Sequence, residues 1–228
     1  ARELIDSGSI GKPFAIHLDF YFAKDAGPPK KPINDDVKPI NWQEHQIAAH
    51  ADGSDGGVGV EPMGELKIEG IYPLAYIRML TGAEVQSVFA RTTSHFHQAH
   101  ADNDVDDLAT VTLEMDGGMI GSLCIGRIGR SSHIDSGEIK LHVIGSHGAL
   151  VITEARPEVG IYYRGQPQSE RRNITVSSDA DFLLMENFSN AIDNNGNTIL
   201  DAKSGRAIAA TVEAAIDSGR TGKPVSLS

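Results

Sequence analysis

Carboxylates and phenols recur at helical spacing in the stretch Gly64–Gly82, GELKIEGIYPLAYIRMLTG. Glu65, Glu69, Tyr72, Tyr76 and Met79 follow one another at intervals of 4, 3, 4 and 3 residues, which places them on one face of an α-helix. Side chains of these types are hydrogen-bonding groups. A carboxylate accepts a hydrogen bond from a hydroxyl, and a phenol donates or accepts one. A phenol also relays a proton when a neighbouring cation lowers its pKa. Leu66, Gly70, Leu74, Ile77 and Thr81 make a second, mainly small and apolar stripe. The pattern predicts a helix with a packed back and a front that faces a cleft. The plainer alternative is an ordinary buried helix with two satisfied tyrosines. Pro73 has no N–H to offer the Glu69 carbonyl, so a bend or a fresh helix start is expected near Tyr72, and Gly82 is placed as a C-terminal cap.

Other groupings carry weaker chemical signals. His95, His97 and His100 spell H-x-H-x-x-H ahead of Asp102, Asp104 and Asp106. On a strand, His95 and His97 would share a face and His100 could fold back as a third imidazole, a metal site on paper. A solvated strand end explains the same residues, and no metal site is assigned. Arg127, Arg130 and His133 in GRIGRSSH could meet an anionic group, since arginine forks suit carboxylate or phosphate. Ser131, Ser132, His133 and Asp135 lie too close together for a nucleophile triad, and no G-x-S-x-G elbow occurs.

The elements that must position these residues follow from periodicity. Residues 1–10 read as the last turns of a helix. Phe14–Phe22 alternates with Phe14, Ile16, Leu18, Phe20 and Phe22 inward, as a half-buried strand does. From Lys24 to Met63 the pattern dissolves into prolines and the run GSDGGVG, a long functional or mobile loop. Strands are expected at Glu84–His97, Asp106–Met115, Met119–Gly126, Glu138–Ile144, Ala149–Thr153, Val159–Tyr163 and Asn173–Ser177, with hairpin turns at Asp116–Gly118 and Gly145–Gly148. Asp181–Asp193 and the alanine-rich Ala202–Ser218 read as helices, before a last extended piece at Val225–Leu227. Strands joined by tight turns imply an α+β fold, a large, mostly antiparallel open sheet with helices on one face. The other face must be solvated or covered by a second subunit.

The composition of the 228 residues narrows the function classes. A formal net charge of −11 argues against nucleic acid or an anionic membrane as the main partner. No apolar run approaches the length of a membrane span. Cys124 is the only cysteine, so there is no internal disulfide or multi-cysteine zinc site, and a reducing cytoplasm is the expected setting.

Taken in order, ELIDSGSIGKPFAI, the glycine-flanked helix GELKIEGIYPLAYIRMLTG with AEVQSVFA after it, VDDLATVTLEMDGGMIGSL, VIGSHGALVI and AAIDSGRTGKPVSL form a set. The set resembles the C-terminal domain of the Gfo/Idh/MocA oxidoreductases, the family of glucose–fructose oxidoreductase and inositol dehydrogenase. It covers residues 1–228 apart from the variable loop. The resemblance implies a two-domain parent in which an N-terminal Rossmann domain holds NAD or NADP. The C-terminal domain would wall the substrate cleft and make subunit contacts through its open sheet, giving a homo-oligomer, in the first place a homodimer. No strand leads into G-x-G-x-x-G here, and no Glu-Lys-Pro carries the family's lysine, so the sequence reads as the second half of such a protein without its dinucleotide domain. No cofactor-binding residue is expected in the chain, and no NAD or NADP is expected to stay bound to it alone.

The family's central helix carries a pattern resembling Asp-x-Gly-x-His. On this sequence Gly70 matches the glycine and Tyr72 takes the histidine position, a known family variant, which makes Tyr72 the candidate catalytic residue. Ile68 occupies the aspartate position, and Glu69, about 100° further round a helix, does not simply stand in for it. Glu69, Tyr76, Trp42 (in NWQEH, at the cleft edge by resemblance) and Arg127 are the candidate substrate-binding residues. The implied reaction is hydride transfer between nicotinamide and a secondary alcohol or ketone of a sugar or cyclitol, with the chain alone inactive. Two rivals keep the fold: a non-catalytic ligand-sensing regulator, with which Ile68 is compatible, and a pure assembly domain. Docking on a partner domain would leave an exposed apolar strip, expected on the Ala202–Ser218 helix.

Overall fold

A computed structural model describes residues 1–21, 63–96, 98–126, 139–153, 158–165, 172–175 and 180–227. Nine strands form one sheet: β1 (Pro13–Tyr21), β2 (Val85–Thr93), β3 (Leu108–Met115), β4 (Ile120–Gly126), β5 (Ile139–Gly145), β6 (Gly148–Thr153), β7 (Glu158–Tyr163), β8 (Arg172–Thr175) and β9 (Val225–Ser226). Their order is β8-β7-β6-β5-β1-β4-β3-β2-β9. The β1–β4 pair is parallel and the other pairs are antiparallel. The expected open, mostly antiparallel sheet is therefore present, and β1, the first strand in sequence, lies in its middle.

Alternation becomes packing through register. One row of partners runs Val88, Leu113, Gly121, Ile16, Val143, Leu150 and Ile161 across seven strands, and all are buried. The next row joins Ala90, Val111, Leu123, Leu18, Leu141, Ile152 and Val159. Each fully buried Leu or Ile in these rows contributes about 1.5–3 kcal/mol relative to an exposed one. The opposite face is mixed: Thr110, Thr112, Glu114, His17, Asp19 and Lys140 are exposed there alongside the apolar Ile120 and Ile144, with Ser122, Cys124 and His142 half-buried. On that face His17 and His142 are direct cross-strand partners, and the His17 ring shares a 2.6 Å hydrogen bond with Ser122. Burial, then the like charge of Lys140 and His17, lowers the His142 pKa from its ordinary value.

The helices are α1 (Arg2–Asp6), α2 (Glu65–Glu69), α3 (Ile71–Thr81), α4 (Gln98–Asp102), α5 (Ala180–Asp193) and α6 (Ala202–Thr221). Small residues let α6 come close to β2. Ser218 Oγ accepts from the Ala90 amide at 2.9 Å and donates to the Lys223 carbonyl at 2.6 Å. A Cβ on Gly219 would meet Thr92 Cγ2 at 2.8 Å. Asp201 caps the α6 N-terminus, its carboxylate accepting from the Ser204 amide at 2.8 Å.

Several expectations are corrected. Phe14 is 49% exposed rather than inward, because the register of β1 against β5 shifts between Pro13 and Ala15. β2 stops at Thr93, four residues short of His97. The apolar strip expected on Ala202–Ser218 is absent, since Ile208, Val212, Ala214 and Ala215 are buried in the core. The exposed apolar helix is α5 instead, where Phe182, Leu184, Met185, Phe188 and Ile192 are all more than half exposed. Among the described residues no helix is long and apolar enough to cross a membrane.

Candidate functional site

The stretch 64–82 folds as two helices, not one. α2 ends at Glu69 and α3 starts at Ile71, with Gly70 between them. Pro73 therefore sits in the first turn of α3, where its missing N–H costs least, as expected from its place in the sequence. A Cβ at Gly70 would press on the Leu66 carbonyl, so the tight junction requires glycine. Gly82 ends α3 in the left-handed conformation, φ 67°, and donates to the Arg78 carbonyl at 2.8 Å.

The junction divides the face that the spacing predicted to be continuous. Glu65 is fully buried and Glu69 is 7% exposed, whereas Tyr72 and Tyr76 are exposed. Carboxylates and phenols thus do not form one front. Glu65 lies with its Oε1 3.8 Å from Nε2 of the buried His100. The phenols are brought together over β1: the Tyr72 ring stacks on Phe20 at 6.4 Å between centroids, and Tyr76 meets Phe20 edge-on at 6.1 Å. Phe20 itself is buried, so it is a fixed platform that leaves both tyrosines open to solvent.

The anchoring of α2 rests on residues that spacing alone did not single out for this task. Asp106, just before β3, accepts the Glu65 amide on its carbonyl at 2.9 Å and the Leu66 amide on Oδ2 at 2.8 Å. Two of the orphan donors of the helix start are thereby satisfied from another segment. A Cβ at Gly64 would collide with the Asp106 carboxylate and lie 2.6 Å from its backbone nitrogen. Burial pushes the Asp106 carboxyl up to about 6, aided by Glu65 and opposed by the Leu66 amide, its own amide and His100. The buried Asp107 holds the next loop, accepting from the amides of His95 and Phe96 at 3.1 and 2.6 Å. The only signal in the sequence was an acidic pair directly ahead of a strand.

The rest of α3 is fixed by pairs. Arg78 and Glu84 form a two-pronged bridge at 2.6 and 2.8 Å, whose hydrogen bond raises the arginine pKa and lowers that of the glutamate. Lys67 of α2 meets Glu213 of α6. A cavity of about 360 Å³ lies behind α3, lined by residues that include Leu74, Ile77, Arg78, Glu84 and Ile208 but not Tyr72.

Trp42, Arg127, Arg130, His133 and the glycine run at 53–59 lie outside the described residues, as does His97. The strand placement expected for His95 does not occur, because β2 has ended at Thr93, and His100 is buried on α4. Among the described residues no three His, Cys, Asp or Glu side chains are placed to hold a metal ion. Nor does any described strand pass through a glycine-rich turn into a helix, so the described residues do not fit the pyrophosphate of a dinucleotide.

Comparison with known proteins places the chain in a class. The family described as an oxidoreductase family, C-terminal alpha/beta domain, matches residues 2–227, and the chain belongs to this Gfo/Idh/MocA family. Among solved structures, levoglucosan dehydrogenase in complex with NADH aligns at a TM-score of 0.73 with 17% identity, over 100% of this chain and 62% of that one. An oxidoreductase from Agrobacterium radiobacter, in complex with NAD+, L-tartaric acid and magnesium, aligns at 0.68 with 16% identity, over 99% and 60%. Aldose-aldose oxidoreductase from Caulobacter crescentus, complexed with glycerol, aligns at 0.68 with 20% identity, over 99% and 58%. At these identities the likeness is one of fold, and the chain spans about three fifths of their length. No curated protein gives a significant match.

Proposed function

We propose that this chain is the substrate-binding and oligomerisation domain of an NAD(P)-dependent oxidoreductase acting on a sugar, a cyclitol or a related secondary alcohol or ketone. The observation that carries the reading is the position of Tyr72. It matches the family's histidine position, and its ring is half exposed on a rigid phenylalanine platform instead of buried. In this reading Tyr72 contacts the reacting hydroxyl, Tyr76 and Trp42 line the cleft, and Arg127 and Glu69 bind further polar groups. Glu69 can do so only from the edge, since little of it is exposed. The bound nicotinamide supplies the hydride acceptor or donor from outside these residues. The chain's own part is to orient the carbinol carbon and hydrogen-bond its oxygen.

Helices α2, α3 and α6 pack on the apolar sheet face, which would leave the opposite face, with His17, Thr112, Ser122, Ile120 and Ile144, as the contact surface of a homodimer. A second reading, a ligand-sensing regulator of the same fold, is favoured only by Ile68 at the family's aspartate position. Calorimetric titration with NADH and NADPH tests the division of labour. These 228 residues should show no binding at micromolar concentration, and a micromolar Kd would refute it. In the complete enzyme Tyr72→Phe should lower kcat/KM at least tenfold, and an unchanged value would remove Tyr72 from the site.

A further inference from the structure

Helix α5 is the least explained element of the described structure. Leu184, Met185, Phe188 and Ile192 fall within about 100° of its circumference, while Glu186, Asn190 and Asp193 occupy the opposite side together with the exposed Leu183. That is the pattern of a helix made to pack, yet its apolar stripe faces solvent. Asn187 ties it to the following turn, its Oδ1 accepting from the Ile199 amide at 3.1 Å, and Asn187 and Ala191 are its half-buried positions. A 14-residue helix is marginal in water without tertiary packing, so the stripe requires a cover.

Resting on the reading above, we infer that the α5 stripe is the docking surface for the dinucleotide-binding domain of the parent enzyme. The aligned solved chains extend beyond the matched part by about two fifths of their length, on the order of 150 residues, the size of one domain. Two of those structures hold NADH or NAD+. The described residues offer no turn for a pyrophosphate, so the nucleotide site belongs to that additional domain. The stripe from Leu184 to Ile192 is about 12 Å long, enough to form one part of an interdomain contact of ordinary size. The side chains that would act are those of Leu184, Phe188 and Ile192, at successive turns.

Hydrogen exchange read by mass spectrometry, on this chain and on the polypeptide encoded by the complete gene, tests the inference. Amides of 181–193 should exchange quickly in the chain alone and at least 100-fold more slowly in the complete polypeptide. Leu184→Glu with Phe188→Glu should return them to fast exchange without weakening NADH binding more than twofold. Phe188→Ser serves as a milder variant, and circular-dichroism melts of the chain should be unchanged by either, because both positions are exposed. If the complete polypeptide fails to bind NADH, the functional reading falls and the docking inference falls with it. If NADH binds and α5 stays unprotected, only the docking inference falls. If the chain alone dimerises and the double variant makes it monomeric, the occupant is a second copy and the inference is overturned.

Discussion

Replacing Asp106 by asparagine should make the protein more stable at neutral pH and erase part of its pH dependence. The carboxyl has an ordinary value of 3.8 in the unfolded chain and is pushed up to about 6 in the fold, mainly by burial. Between those two values the folded state holds a proton that the unfolded state has released, so stability falls as pH rises through the window. A gap from 3.8 to about 6 corresponds to roughly 3 kcal/mol, and partial solvent access reduces this to about 2 kcal/mol. Asparagine keeps an oxygen for the Leu66 amide but carries no charge to desolvate. It gives up the favourable charge at the α2 start, about 0.3–1 kcal/mol. Urea melts of both proteins at intervals from pH 4 to pH 7.5 give the measurement. The stability of Asp106→Asn minus that of wild type should be near zero or slightly negative at pH 4 and rise by about 2 kcal/mol by pH 7. Glu84 and Asp201, whose pKa values are lowered, contribute slopes of opposite sign, but these are common to both proteins and cancel. A difference that is flat with pH, or that shrinks as pH rises, would refute the assignment of a strained buried carboxylate.

Gly64→Ala should cost about 1–3 kcal/mol in the same urea assay, because the new methyl must displace the Asp106 carboxylate that caps α2. Loss below 0.5 kcal/mol would mean that the cap relaxes freely. Leu113→Ala, at a fully buried position of the first cross-strand row, should cost about 2–5 kcal/mol without changing the far-UV spectrum.

Strand and helix positions were legible to within a few residues, because alternation and turn glycines act locally. Ile16, Leu18 and Phe20 face the core as their spacing requires, and Asp116–Gly118 turns the chain between β3 and β4. The candidate site was legible only from Gly70 onward. The intervals of 4 and 3 put Glu65 and Glu69 on one face with Tyr72 and Tyr76, and the expected fresh helix start near Tyr72 is present, but spacing does not say how deeply each end is buried. Gly70 itself has helical dihedrals, φ −60° and ψ −22°, yet the two glutamates before it are buried while the two tyrosines after it are exposed. Nothing local announces that Asp106 caps α2 or that Phe20 carries the tyrosines, since both contacts close loops of about forty residues or more. The exposed strip was expected in kind but assigned to the wrong helix. An alanine-rich helix packs tightly on a sheet, while the bulkier side chains of α5 need a concave partner.

The central place of β1 has a consequence for synthesis. Both of its neighbours, β4 and β5, begin more than a hundred residues downstream. A chain leaving the ribosome therefore emits its central strand first and carries it with two bare hydrogen-bonding edges until residue 120 and then residue 139 have emerged. The β2–β3–β4 meander can pair before β5 emerges, but β1 enters the sheet late, and Ile16, Leu18 and Phe20 are the stretch a chaperone would need to shield in the interval.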